Sequence, residues 1–220
     1  MQKLIPEWLW PRLNPLSAED QSRQEKWILN EKKEINEASW GDKCDVALEE
    51  ARRLFDAEQE RRRGADSKAG LYLAAITALA PILATIFPGI LDDKISQALK
   101  ITLLVIFICA LLYLIRAGLW ALQTMKVSAI AQLSAGEIAK NFSSEKPEEN
   151  LVKSLLRAVT FNYSGTNEKI SCIKMTHEFL LRAFFGFAAF LAVQVAWPTA
   201  ASAVVRINAE IITPIIACFP

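Results

Sequence analysis

Histidine is almost missing from this 220-residue chain, where His177 stands alone. One imidazole rules out a His–His metal pair and leaves room for one histidine-centred triad at most, and nothing beside it marks a nucleophile. The four cysteines, Cys44, Cys109, Cys172 and Cys218, are far apart and form no Cys-x-x-Cys, so their spacing signals neither a zinc site nor a disulfide framework. The eight glycines are scattered and build no phosphate-cradling loop. Glu137, Glu145, Glu148 and Glu149 offer carboxylates, but on a charged stretch they read as a solvated surface rather than an acid–base pair. The expectation is a chain with no enzymatic activity, no metal and no cofactor. An excess of one sign of charge is lacking too: 25 Lys and Arg stand against 24 Asp and Glu. Composition therefore gives no general case for nucleic acid as a partner.

What the chain does have is apolar sequence gathered into blocks. Residues 69–91, 101–115 with apolar flanks, and 183–205 carry no Asp, Glu, Lys or Arg. A hydrocarbon core of about 30 Å takes roughly 20 helical residues at about 1.5 Å each. The fold class expected is all-α: an integral membrane protein with three transmembrane helices, over about 69–91, 98–122 and 183–205, and a cytoplasmic helical bundle. The first residues are broken by Pro6, Glu7 and Pro11 and show no cleavage site, so the first span is expected to serve as the insertion signal.

Charge sets the expected orientation. Arg52, Arg53, Arg61, Arg62, Arg63 and Lys68 precede the first span, the short loop after it holds only Lys94, and basic residues from Lys126 to Arg182 return after the second. The positive-inside rule then puts the N-terminus in the cytoplasm and the apolar tail, residues 206–220, outside. Arg116 interrupts the second span near its cytoplasmic end, where a long side chain can snorkel to the headgroups. Trp120, Arg182 and Trp197 are placed with it as interfacial anchors. Pro81, Pro88 and Pro198 lie within spans, and Ala74, Ala78, Ala80 and Ala84 give the first a small-residue face suited to close helix approach.

Outside the spans, Ser17 with Asp20 reads as a helix N-terminus and Gly41-Asp42 as a break. A second helix then carries Val46, Leu48, Ala51, Leu54 and Phe55 on one stripe and runs on into the first span. The segment after the second span is expected to continue helically through Met125, Ile130, Leu133 and Ile138 and to loosen over 141–150 around Pro147. Leu151, Leu155, Leu156 and Val159 return as a stripe, residues 162–167 read as a turn, and 168–177 lead into the third span. The resulting division is 1–68 cytoplasmic helical region, 69–122 transmembrane hairpin, 123–182 cytoplasmic helical hairpin, 183–205 third span and 206–220 external tail.

The most distinctive local pattern lies where the first span begins: Arg63, Ala65, Asp66, Lys68 and Ala69, an Ala-Asp-x-Lys-Ala motif. Followed by a span, a very short loop, a second span, a hairpin bearing Asn162, Asn167 and Lys169, and a third span, it resembles the Pycsar and SLATT-type transmembrane effectors of bacterial antiphage signalling. The likeness covers the layout of residues 48–205. It implies a protein of the bacterial inner membrane that stays silent until infection, then assembles with copies of itself and breaks membrane integrity. Its implied partners are the lipid bilayer, further copies, and a cytoplasmic sensor protein or nucleotide second messenger. The other reading is a non-toxic accessory subunit whose cytoplasmic helices dock a soluble enzyme or sensor. A housekeeping transporter ranks below both, since the spans lack paired intramembrane charges.

Overall fold

The computed structural model describes residues 6, 10–13, 17–90, 96–126 and 129–207, with side chains up to residue 197. Residues 92–95 of the loop expected after the first span and the tail beyond residue 207 lie outside the described residues. Among the described residues there are five α-helices and no strand: α1 (Ala18–Glu37), α2 (Cys44–Ile90), α3 (Gln97–Met125), α4 (Ala135–Phe142) and α5 (Pro147–Ile207). Helices α2, α3 and α5 are each long and apolar enough to cross a bilayer, as the apolar blocks predict.

Local chemistry explains the helix ends. Ser17 Oγ accepts from the Asp20 amide at 3.1 Å and caps α1. The break before α2 is a 3-10 turn over Gly41–Lys43, and Gly41 takes φ +50°, a conformation a side chain would disfavour. From there α2 runs unbroken for 47 residues, polar sequence into apolar, with Pro81 and Pro88 inside it.

Two expectations about the second polar stretch are overturned. Helix α3 stops at Met125, and residues 129–134 are not helical. The buried amide of Asn162 holds this segment: Ala131 N–H donates to its Oδ1, and its Nδ2 donates to the Ala131 carbonyl, both at 2.9 Å. Ser134 and Glu137 then form a reciprocal capping box that starts α4 afresh. Residues 162–167 are no turn either but the middle of α5, 61 residues long. Helix is tolerated there because the polar side chains find tertiary partners instead of bending the backbone: Asn162 takes Ala131 and Asn167 takes Arg61.

The chain divides into two compact units. The first comprises Met1–Leu73 and Leu119–Thr176. Its core joins Ala51 to Leu151, Val152 and Leu155, covered by Trp40, Leu48, Phe55 and Leu133. Only part of the expected α2 stripe turns inward, since Val46 and Leu54 are exposed. Arg61 meets Asn167 and Asp66 meets Lys169, so numbers on α2 and α5 rise together and the two helices run parallel. That is the relation a three-span chain needs between its first and third spans.

At the start of α5, the Glu149 carboxylate receives Lys153 Nζ at 2.9 Å and Lys146 Nζ at 3.5 Å, while Lys153 stands over the Trp40 ring at 5.9 Å. The hydrogen bond from Lys153 holds the carboxyl below its ordinary value of 4.5, against burial, which pushes the other way. A carboxyl depressed in the folded state adds stability that is complete above its unfolded value and disappears as pH falls through the folded one. Thermal midpoints measured from pH 6 down to about pH 3 should therefore decline on acidification, and the Glu149→Gln variant should decline less steeply. Parallel profiles for the two proteins would contradict the assignment.

The second unit comprises Ala74–Gly118 and His177–Pro220. Tyr113 meets Phe179 and Phe107 meets Phe190, each with tilted rings, while Gly186 faces Ala110, so α3 and α5 run antiparallel. Along α3, Leu99, Leu103, Phe107, Ala110 and Leu114 are buried at steps of four or three residues. The opposite ridge, Ile101, Val105, Ile108, Leu112 and Ile115, is exposed yet wholly apolar. A helix apolar on every face suits hydrocarbon rather than water.

Candidate functional site

The Ala65–Ala69 motif lies on α2 within the first unit, and helical spacing divides it. Ala65 and Ala69, four apart, are buried at 5% and 0% exposure. Small side chains of this kind let a neighbouring helix approach closely. Asp66, half-buried beside them, accepts Lys169 Nζ at 2.5 Å. The Lys169 side chain is 7% exposed and that of Asp66 40%. Arg63 and Lys68 are exposed and stand apart from this pair; Arg63 borders an open hollow with Asp56, Glu60 and Ser67 on α2's own surface. Lys68 makes no ion pair among the described residues.

Two turns earlier a second polar group bridges the same helices. Arg61 donates to Glu58 Oε2 at 2.8 Å and to Asn167 Oδ1 at 2.9 Å, and its guanidinium lies over the Tyr163 ring at 5.6 Å. Tyr163 in turn meets Trp27 of α1, with centroids 5.5 Å apart. Glu58 is buried, and its other oxygen, like the hydroxyl of fully buried Thr166, has no hydrogen-bond partner among the described residues. Buried polar atoms left unpaired cost free energy, so this layer is less settled than the apolar core around Ala51.

Sequence reasoning placed Asn162, Asn167 and Lys169 in the layout without pairing them. It took Arg61 only as part of the orientation signal and Tyr163 and Thr166 only as part of a turn, and it passed over Glu58. The usable signal was periodicity: Glu58, Arg61 and Ala65 share a helical face with Ala69, and Asn162, Thr166 and Lys169 share another. The anchors fall as follows. Arg116 and Arg182 are half-buried in the second unit, where Arg182 donates to the Glu178 carboxylate at 2.6 Å. Trp197 is exposed, and half-buried Trp120 takes the Thr124 hydroxyl on its carbonyl.

Chemically the site is a set of paired charged and polar groups between α2 and α5. Burial pushes the Cys172 thiol up, with Glu168 adding to it, and burial likewise raises Cys44 next to Glu148 and Glu149. Both are held as thiols rather than nucleophilic thiolates. No group of three His, Cys, Asp or Glu able to hold a metal occurs among the described residues. No protein-family model, no curated protein and no solved structure matches the chain.

Proposed function

We propose that this chain is a membrane effector of bacterial antiphage defence, which assembles in the inner membrane and disrupts its integrity, so that infected cells die before phage mature. The observation that carries the reading is the Asp66–Lys169 pair: the motif singled out by resemblance also ties together α2 and α5, two of the three helices long enough to span a bilayer. A charged contact between parallel helices fixes their register, and in this reading the assembled state depends on it. Exposed Ala74, Thr77, Ala78 and Ala84 on α2 suit self-association in lipid. In this reading the N-terminus and first unit lie in the cytoplasm, the C-terminus lies outside, and the protein itself carries no catalytic step.

Controlled expression in a bacterium, with and without phage, tests it when membrane potential and viability are followed together. Depolarisation should precede loss of viability, and the double variant Asp66→Ala with Lys169→Met should abolish it while the protein remains in the membrane. Intact potential under every condition, with the protein confirmed in the membrane, overturns the proposal. The accessory-subunit reading is favoured by one feature, the exposed apolar side chains Leu29, Val46, Leu54, Ile138 and Phe142 on the first unit. It requires a stoichiometric soluble partner to co-purify from the native host.

A further inference from the structure

A pocket of about 360 Å³ opens in the first unit, away from the Asp66–Lys169 pair, between α1, the segment before α4, and α5. Its lining includes Lys32, Gln132, Glu137, Ser154, Arg157 and Phe161. Its walls are held in place. Both amide bonds of buried Asn162 pin Ala131, and the capping box fixes Glu137 and the first turn of α4.

The pocket's charge is unbalanced in a specific way. Arg157 donates through both Nε and Nη2 to Asn36 Oδ1, at 3.0 and 2.5 Å, so a neutral amide sets the plane of its guanidinium. Among the described residues neither Arg157 nor Lys32 has a carboxylate within ion-pair distance. The one lining carboxylate, Glu137, already spends an oxygen on the Ser134 amide. Ser154 accepts from Asn141 Nδ2, which leaves its hydroxyl proton to donate. Phe161, 54% exposed, offers an uncovered aromatic ring in the same lining. Oriented, uncompensated cations beside hydroxyl and amide donors recognise phosphate, and an open ring face recognises a flat one. The volume falls within the usual range for small-molecule sites.

From this we propose that the pocket binds a small organic phosphate carrying a flat ring, with its phosphate between Lys32 and Arg157, its ring on Phe161, and Glu137 accepting from a ring amine or hydroxyl. The proposal does not depend on what the spans do, and it stands or falls separately from the effector reading.

Calorimetric titration of the full-length protein in nanodiscs, with AMP, ribose 5-phosphate, adenosine and sulfate as probes, tests it. AMP should bind, while ribose 5-phosphate and adenosine should each bind about tenfold or more weakly, because each lacks one half of the recognition. Lys32→Gln, at an exposed side chain that makes no hydrogen bond or ion pair among the described residues, should weaken AMP about tenfold. Phe161→Ala should reduce AMP to the affinity of ribose 5-phosphate. Arg157→Gln also releases α1 from α5 through Asn36, so Lys32→Gln is the deciding variant. No AMP binding, AMP binding unchanged in Lys32→Gln, or sulfate binding as tightly as AMP would each overturn the site.

Discussion

Replacing Asp66 by Ala should destabilise the protein far more than replacing Lys169 by Met, although the two changes remove the same ion pair. The asymmetry follows from burial. With Asp66 gone, an ammonium on a side chain only 7% exposed has neither carboxylate nor ready access to water. Stranding a buried charge in this way costs about 3 kcal/mol. With Lys169 gone, the 40%-exposed Asp66 turns to solvent, and methionine's apolar chain fills much of the space the lysine stem occupied. That change should cost about 1 kcal/mol. The double variant Asp66→Ala with Lys169→Met removes both charges from the parallel α2–α5 contact and should recover most of the loss, since a buried pair replaced by apolar groups is often close to neutral. Thermal unfolding in detergent, followed by tryptophan fluorescence, gives all three values. Equal losses in the two single variants, or a double variant no better than Asp66→Ala, would mean that the pair is not the contact that fixes α5 against α2. The double variant also separates structure from activity: a folded protein that has lost its effect on membrane potential would tie that effect to the charges themselves.

The spans were the most legible part of the sequence because hydrocarbon imposes one requirement over some twenty residues, and a block such as 101–115 cannot satisfy it by accident. The cap at Ser17 and the break at Gly41 were legible for the opposite reason, each depending on one residue's local chemistry. The polar stretch from 126 to 170 was misread where a local preference met a distant partner. Asn162, Ser164, Gly165 and Asn167 carry turn preferences, but the Asn162 amide is committed to Ala131, 31 positions away, and Asn167 to Arg61, 106 positions away. Nothing within a short window contains those commitments. The same holds for the site: the motif around Asp66 could be picked out as a string of letters, whereas its partner Lys169 lies 103 positions along the chain and enters only when α2 and α5 are laid side by side.

The other large effect belongs to Gly186, where α3 and α5 approach closely. A Cβ at this position would lie 2.8 Å from the Ala110 Cβ and 3.3 Å from its Cα, so backbone as well as side chain stands in the way. No rotamer change relieves such a contact, and the helices must separate by part of an ångström along a seam that includes Phe107, Ala183 and Phe190. In lipid this matters more than it would in water, because close packing rather than expulsion of water holds apolar helices together. Gly186→Ala should therefore cost about 2 kcal/mol, and Gly186→Val more. Ala110→Gly alone should cost less, since it removes one methyl group without forcing the backbones apart. Placed together, Ala110→Gly with Gly186→Ala exchanges the side on which the methyl stands and should restore much of the lost stability. The intended comparison is with Gly118, where the nearest atom to an added Cβ is the Ile76 Cδ1 at 3.9 Å and Gly118→Ala should be tolerated. If Gly186→Ala unfolds at the wild-type midpoint, or Gly118→Ala is the more damaging of the two, the α3–α5 seam is not packed as described.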